Sequence, residues 1–420
     1  MIRFPPKPLC RRKPRVRPLF LALILTLVAS GLYPDPFGDP KGDPSGGFLL
    51  DLPPGYRSRS AGGTSRSFQN PQGAVFELSW AIRAGEPEAY LRQVLSRLGI
   101  ESEDAAEAFE YHGRPAALAR LEFSLDRSGR PLTGNPRTGN LRTAPQDARR
   151  GWALCLDRGE DLLLALAYGA AEDQEILHLS CLDSIAPTRA EQYYWGPVTE
   201  YAWPRGELRE TGLYNSGLTA LIAQGDAEAA QGLVDREFLV LKRFERTPQW
   251  QEAWRRFYRM IRRDSWERLR DPLFRLERLW NTQALLNPDR DGERGAPAGL
   301  SDRELASRAL AHVQSFRYER DLMGSDFVNL VSALTEGRGD CDSRALLWAL
   351  FLAQANIPAG IMVSRDYGHA MGMAELPGPG ARFPLGDKTY LVAETTAQVE
   401  LGLIGQSVSE TAKWLGVIFE

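Results

Sequence analysis

Histidine is scarce in this chain: four occur in 420 residues, His112, His178, His312 and His369. None stands at metal-ligand spacing from another or from a cysteine, which excludes a zinc enzyme of the usual kind and leaves no metal or cofactor to expect. Cysteine is equally scarce, with four residues. Cys10 precedes the N-terminal apolar run and no cysteine follows it closely, so the bacterial lipoprotein pattern is absent. Nor is there a surplus of positive charge, since 51 Lys and Arg against 54 Asp and Glu give −3. The first 17 residues hold seven basic groups and no acid, which leaves a body near −10, from −3 − 7. Nucleic acid, whose phosphates reward clustered Lys and Arg, is not an expected partner. What is present, 43% apolar and 25% charged residues, is enough to build two or three globular domains.

The basic groups (Arg3, Lys7, Arg11, Arg12, Lys13, Arg15, Arg17) run into "PLFLALILTLVAS" at 18–30. A positive flank followed by an apolar core of this length reads as an export signal. Val28-Ala29-Ser30 offers small residues for cleavage, whereas Leu32 and Tyr33 would extend the run into a short uncleaved membrane anchor; the length favours cleavage. Either way the remainder is expected outside the cytoplasm, in the periplasm or at the cell surface. In an oxidising space Cys155 and Cys181 become candidates for a disulfide, and the alternative is two independent buried thiols. Both leave Cys341 unpaired.

Residues 34–47 are nearly all turn formers and make a linker. From Phe48 the pattern turns strand-like, through 48–56, 74–82, 117–123, 151–156 and 162–168, with a helix around Tyr90, Leu91, Val94, Leu95 and Leu98. A second helix is expected over 175–186, stopped by Pro187, and Gly129 to Arg150 reads as a flexible insert. The opening "LDLPPGY" and closing "LDSIAP" resemble the α/β/α sandwich family of the photosystem II extrinsic subunits. That resemblance implies a non-enzymatic binding or scaffolding module over 48–187.

Residues 188–300 read as helical. Trp250, Trp254, Phe257, Tyr258 and Ile261 form one stripe, and Arg255, Arg256, Arg259, Arg262 and Arg263 are expected on the solvated face. "NPDRDGE" at 287–293 opens like a calcium loop but has Ala298 where a bidentate glutamate is needed, so a turn is expected there.

The chemistry concentrates near the C-terminus. In "GRGDCDSRALLWALFLAQANIP" (337–358) glycines give way to a buried helix with Cys341 in its first turn, where partial positive charge favours thiolate. Strands are expected over 359–364, 367–376 and 389–396 as an antiparallel meander, with 377–387 as a loop. His369 then starts the second strand and Glu394 lies near the end of the third, so pairing sets carboxylate beside imidazole. Thiol, imidazole and carboxylate are the parts that nucleophilic acyl transfer needs.

These segments, "GRGDCDSRALLWALFLAQANIPAGIMV", "YGHAMGMAEL" and "YLVAETT" in that order, resemble the transglutaminase-like superfamily with its papain-like core. The resemblance covers about residues 312–405, with "HVQSFRYERD" similar to the family's lead-in helix and tyrosine. It implies Cys341 as nucleophile, His369 as base and Glu394 as orienting acid, where many members have aspartate. Gln314 and Tyr318 are left without an assigned role.

The expected architecture is α+β and multidomain: an export segment or anchor (1–33), linker (34–47), α/β/α sandwich with an antiparallel sheet (48–187), helical region (188–300) and transglutaminase-like domain (301–420). The expected function is acyl transfer or amide hydrolysis on a peptide, protein or wall-polymer substrate through a thioester. The alternative is a catalytically silent scaffold of the cell envelope.

Overall fold

The computed structural model describes residues 47–83, 85–100, 106–126, 148–286, 299–320 and 325–419. The export segment, nearly all of the linker, most of the 129–150 insert and the calcium-loop look-alike lie outside the described residues. The chain is mixed α+β with antiparallel sheets.

The first region runs β1 (Arg57–Gly62), β2 (Ser65–Gln69), β3 (Val75–Ile82), α1 (Pro87–Arg97), β4 (Ala106–Tyr111), β5 (Arg114–Ser124), β6 (Ala148–Asp157), β7 (Asp161–Gly169) and α2 (Glu175–Asp183). All seven strands join one antiparallel sheet in the order β1-β2-β3-β7-β6-β5-β4. Its central strands are apolar without alternation, "LLLALAY" in β7, because both faces are covered. Leu91, Val94 and Leu95 of α1 cover one face with Val75 and Leu164, while Leu182 of α2 covers the other with Phe76 and Leu163.

That layering decides between the two readings of Cys155 and Cys181, against the disulfide. Cys155 of β6 packs toward α1, whereas Cys181 of α2 packs on the opposite face, and both are free thiols. A sheet stands between them, so no rotamer brings the sulfurs to bonding distance.

The second region begins with α3 (Pro197–Ala202), β8 (Leu208–Gly212) and β9 (Thr219–Ala223), so the expected helical stretch holds a β-hairpin as well. It continues with α4 (Asp226–Lys242), α5 (Trp250–Leu285), α6 (Asp302–Gln314), β10 (Arg317–Tyr318), α7 (Leu330–Glu336), β11 (Arg338–Gly339) and α8 (Cys341–Gln354). Last come β12 (Ala359–Ser364), β13 (His369–Ala374), β14 (Arg382–Leu385), β15 (Lys388–Ala393) and β16 (Leu415–Ile418), an antiparallel sheet ordered β14-β15-β13-β12-β16. Two of its strands were not expected: β14 lies inside the Pro/Gly-rich segment read as a loop, and β16 returns to pair with β12. One apolar core runs from Leu213 through Phe257, Leu276 and Trp348 to Val417. It crosses residue 300, so the helical stretch and the C-terminal sheet share one apolar core.

Three of the α5 arginines expected on the solvated face, Arg256, Arg259 and Arg263, are a further correction, because they bond to the first region, whereas Arg255 pairs with Glu252 on its own helix. Arg256 is buried and donates to Glu237 Oε2 (2.5 Å) and to the Ser180 carbonyl (3.2 Å). Arg259 forks onto Asp51 with two bonds of 2.8 Å, and Arg263 donates to the carbonyls of Asp183 (3.1 Å) and Ile185 (2.8 Å). Arg236 of α4 pairs with Asp183, whose carboxylate also accepts from Thr199 N and Oγ1 at 2.8 Å. The partners of these cations come from both regions, which are thereby locked together. Among the described residues no helix is long and apolar enough to cross a membrane.

Candidate active site

Cys341 occupies the first position of α8 because Asp340 caps the helix, accepting from Ser343 N at 2.8 Å. The helix is apolar on almost every side and lies across β12 and β13. Its approach to the sheet depends on Gly372, where a Cβ would stand 2.4 Å from the Trp348 ring. Trp348 is fully buried and donates from Nε1 to the Ala306 carbonyl at 3.0 Å, which fixes the helix from behind. Arg344, also buried, spends its guanidinium on the carbonyls of Phe316 (2.6 Å) and Gly339 (3.1 Å). It ties the first turn of α8 to the end of α6 and to β11.

His369 opens β13, and Glu394 follows β15. The register sets Gly372 opposite Ala393, so the glutamate leaves the sheet one step later and reaches back to the ring. His369 Nε2 and Glu394 Oε2 are 2.8 Å apart. Glu394 Oε1 accepts from Thr396 N at 2.8 Å and Oγ1 at 2.6 Å. Burial alone would raise the Glu394 pKa, but the bonds from His369 and Thr396 outweigh it and hold the carboxyl below its ordinary range. With Nε2 engaged, Nδ1 is the ring nitrogen left to exchange a proton. Gln314, unassigned from sequence, donates to the carbonyls of Glu394 (2.8 Å) and Val399 (3.0 Å), so it positions the backbone that carries the acid.

The thiol stands beside the start of β13, where the Ala370 N–H favours its anion. That donor is outweighed. Burial pushes the Cys341 thiol up, and the carboxylates of Asp342 and Asp340 push it further. Cys341 is 8% exposed, and its Sγ is 3.7 Å from Asp342 Oδ1, as a donor to it. The expected preference for thiolate is therefore opposed, because burial first and the two flanking acids second outweigh the helix N-terminus. Asp340 is itself raised to about 8 by burial and by Asp342. Asp342 is raised by burial against a hydrogen bond from Tyr258 and the nearby His369. The sulfur of Cys341 and one oxygen each of Asp340 and Asp342 lie within 4.8 Å of one another, a spacing that a cation could bridge.

Two residues here escaped the sequence reading. Tyr258 looked like one member of an aromatic stripe, yet it carries a hydroxyl from α5 to the carboxylate beside the thiol. Arg344 is a cation in an otherwise apolar helix, and that anomaly was the available signal. Tyr318 is half exposed beneath the Arg344 guanidinium (5.4 Å to the ring centroid) and close enough to Cys341 for its pKa to rise, mainly through burial, to about 12.

No family model and no curated protein matches the chain. Among solved structures, a cyanobacterial PsbP (CyanoP) from Synechocystis is similar over 34% of this chain and 89% of its own, at 15% identity and TM-score 0.24. LapG of Legionella pneumophila, in EGTA-treated form, is similar over 44% of this chain and 81% of its own, at 14% identity and TM-score 0.21. Likenesses this weak define neither a family nor an activity.

Proposed function

We propose that the chain is an exported cysteine-nucleophile acyl-transfer protein, transglutaminase-like in its second region, acting on amide bonds of a peptide, protein or wall-polymer substrate. The observation that carries this reading is the 2.8 Å contact of His369 Nε2 with Glu394 Oε2 on the sheet that α8 crosses with Cys341. In the proposed reaction Sγ attacks the acyl carbon while Nδ1 of His369 takes the thiol proton. The C–N bond then breaks, the imidazolium returns the proton to the leaving amine, and water or a second amine cleaves the thioester. Because the resting thiol is held neutral, the proton moves during attack and not beforehand.

That same neutrality supports a second reading, a silent scaffold in which the triad is architecture and residues 48–187 bind a partner. The two readings separate on exposure of the whole protein to p-nitrophenyl acetate followed by peptide mass spectrometry. Acetyl thioester on Cys341, absent from Cys155 and Cys181, supports the enzyme. An unmodified Cys341 supports the scaffold. Export is tested by N-terminal sequencing of protein recovered outside the cytoplasm: a start just after Ser30 supports cleavage, an intact Met1 in the membrane supports an anchor, and retention in the cytoplasm opposes both.

A further inference from the structure

The junction of the two regions forms a half-open cavity of about 490 Å³ between the start of the first region, α5 and the end of β16. Its lining carries three guanidinium groups, Arg259, Arg262 and Arg263, against one carboxylate, Asp51. Asp51 is taken by Arg259, as is Glu252. Arg263 spends its donors on neutral carbonyls, and Arg262 has no acidic partner among the described residues. The Nε atoms of both are buried without a hydrogen-bond partner among the described residues. Arg263 has the buried Asp183 carboxylate nearby, so Arg262 is the cation left uncompensated at this half-buried site, in a chain with more acidic than basic residues. Burying unpaired charge is costly, and here burial already depresses the Arg262 pKa.

The site around Arg262 is also ordered. Its guanidinium lies 5.5 Å from the Tyr193 ring centroid and 5.3 Å from those of Trp266 and Phe419. Stacking of this kind holds a guanidinium flat with its edge available for a fork of hydrogen bonds to a carboxylate or phosphate. Tyr193 and Phe419 also line the cavity and give it an apolar wall.

We infer that this cavity is a binding site for an anion, a carboxylate or phosphate carried on an apolar or aromatic body, seated on Arg262 and Arg263. It is separate from the Cys341 site and does not depend on that site's being catalytic. Arg262 lies one helical turn beyond Tyr258 on α5, so an occupant grips the helix that reaches the thiol's neighbour.

The test uses the whole protein and phenylglyoxal, which modifies arginine, with each site read by peptide mass spectrometry. Benzoate and phenyl phosphate are the probes, and benzamide is the neutral control. Either anion at about ten times its Kd should slow modification of Arg262 and Arg263 about tenfold, while benzamide leaves both rates unchanged. Protection by benzoate identifies a carboxylate source, and protection by phenyl phosphate a phosphate source. Unchanged rates with both anions, or equal protection by benzamide, would overturn the inference. As a second measurement the protective anion should raise the Tm of the wild-type protein and not that of Arg262→Gln. If Arg262→Gln does not fold, the labelling of the wild-type protein decides alone.

Discussion

Cys181 and Cys341 are both buried thiols on helices packed against antiparallel sheets, and burial raises both pKa values, that of Cys181 to about 12. They differ in company. Cys181 lies near the Arg256–Glu237 pair, which helps to hold the two regions together. Cys341 stands in the first turn of its helix beside the Ala370 N–H, next along the chain from His369, whose Nε2 is already held by the Glu394 carboxylate. Acidity therefore does not separate a structural cysteine from a candidate nucleophile here. A proton acceptor with a fixed orientation does.

Removing the orienting charge should produce the largest effect. Glu394→Gln is expected to slow acylation of Cys341 by about 10²- to 10⁴-fold with little change in Tm, checked by rates of thioester formation. At the structural cysteine the counterpart is Glu237→Gln, which strands Arg256 and weakens the hold on Arg236; it should cost about 3–5 kcal/mol in denaturant titration and leave the His369–Glu394 contact intact. A third prediction concerns pH in the first region. Burial raises Glu77 to about 8, so the folded state keeps a proton that the unfolded chain releases near pH 4.5. Its contribution to stability is full below the unfolded value and falls as pH rises toward 8, by about 1.4 kcal/mol per unit; Glu77→Gln should flatten that slope in melts taken across the window. The smallest expected effect belongs to Asp342→Asn. Deleting a charge that holds the thiol up should move the pH midpoint of Cys341 alkylation down by about one unit while Cys181 stays unreactive.

Much of the candidate site could be read from local punctuation. The glycines before Cys341 and the Asp340 cap announce a helix start, and the Arg365-Asp366 break separates the strand ending at Ser364 from the one that His369 opens. The edge strand β14 was hidden by Pro384 in a Gly/Pro-rich segment, a residue that an edge tolerates because it has no N–H to give. Arg256, Arg259 and Arg263 of α5 were misread for a different reason. Helical periodicity separates an apolar face from a polar one, but water and a carboxylate-bearing neighbour look alike to it. Arg256 and Arg259 face Glu237 and Asp51, and the acid on Arg259 is 208 residues away in sequence. The same limit hid Tyr258, whose partner Asp342 belongs to another element. The thiol was misread for another reason: burial in the fold, and then its sequence neighbours Asp342 and Asp340, outweigh the helix N-terminus.

The central claim is that His369 takes the Cys341 proton during attack. It is tested most directly by the rate of Cys341 acetylation by p-nitrophenyl acetate at pH 7 in the wild type and in His369→Gln, read by peptide mass spectrometry. The account predicts a wild-type thioester and a loss of about 10²- to 10⁴-fold in the variant. Equal rates in the two proteins would contradict it.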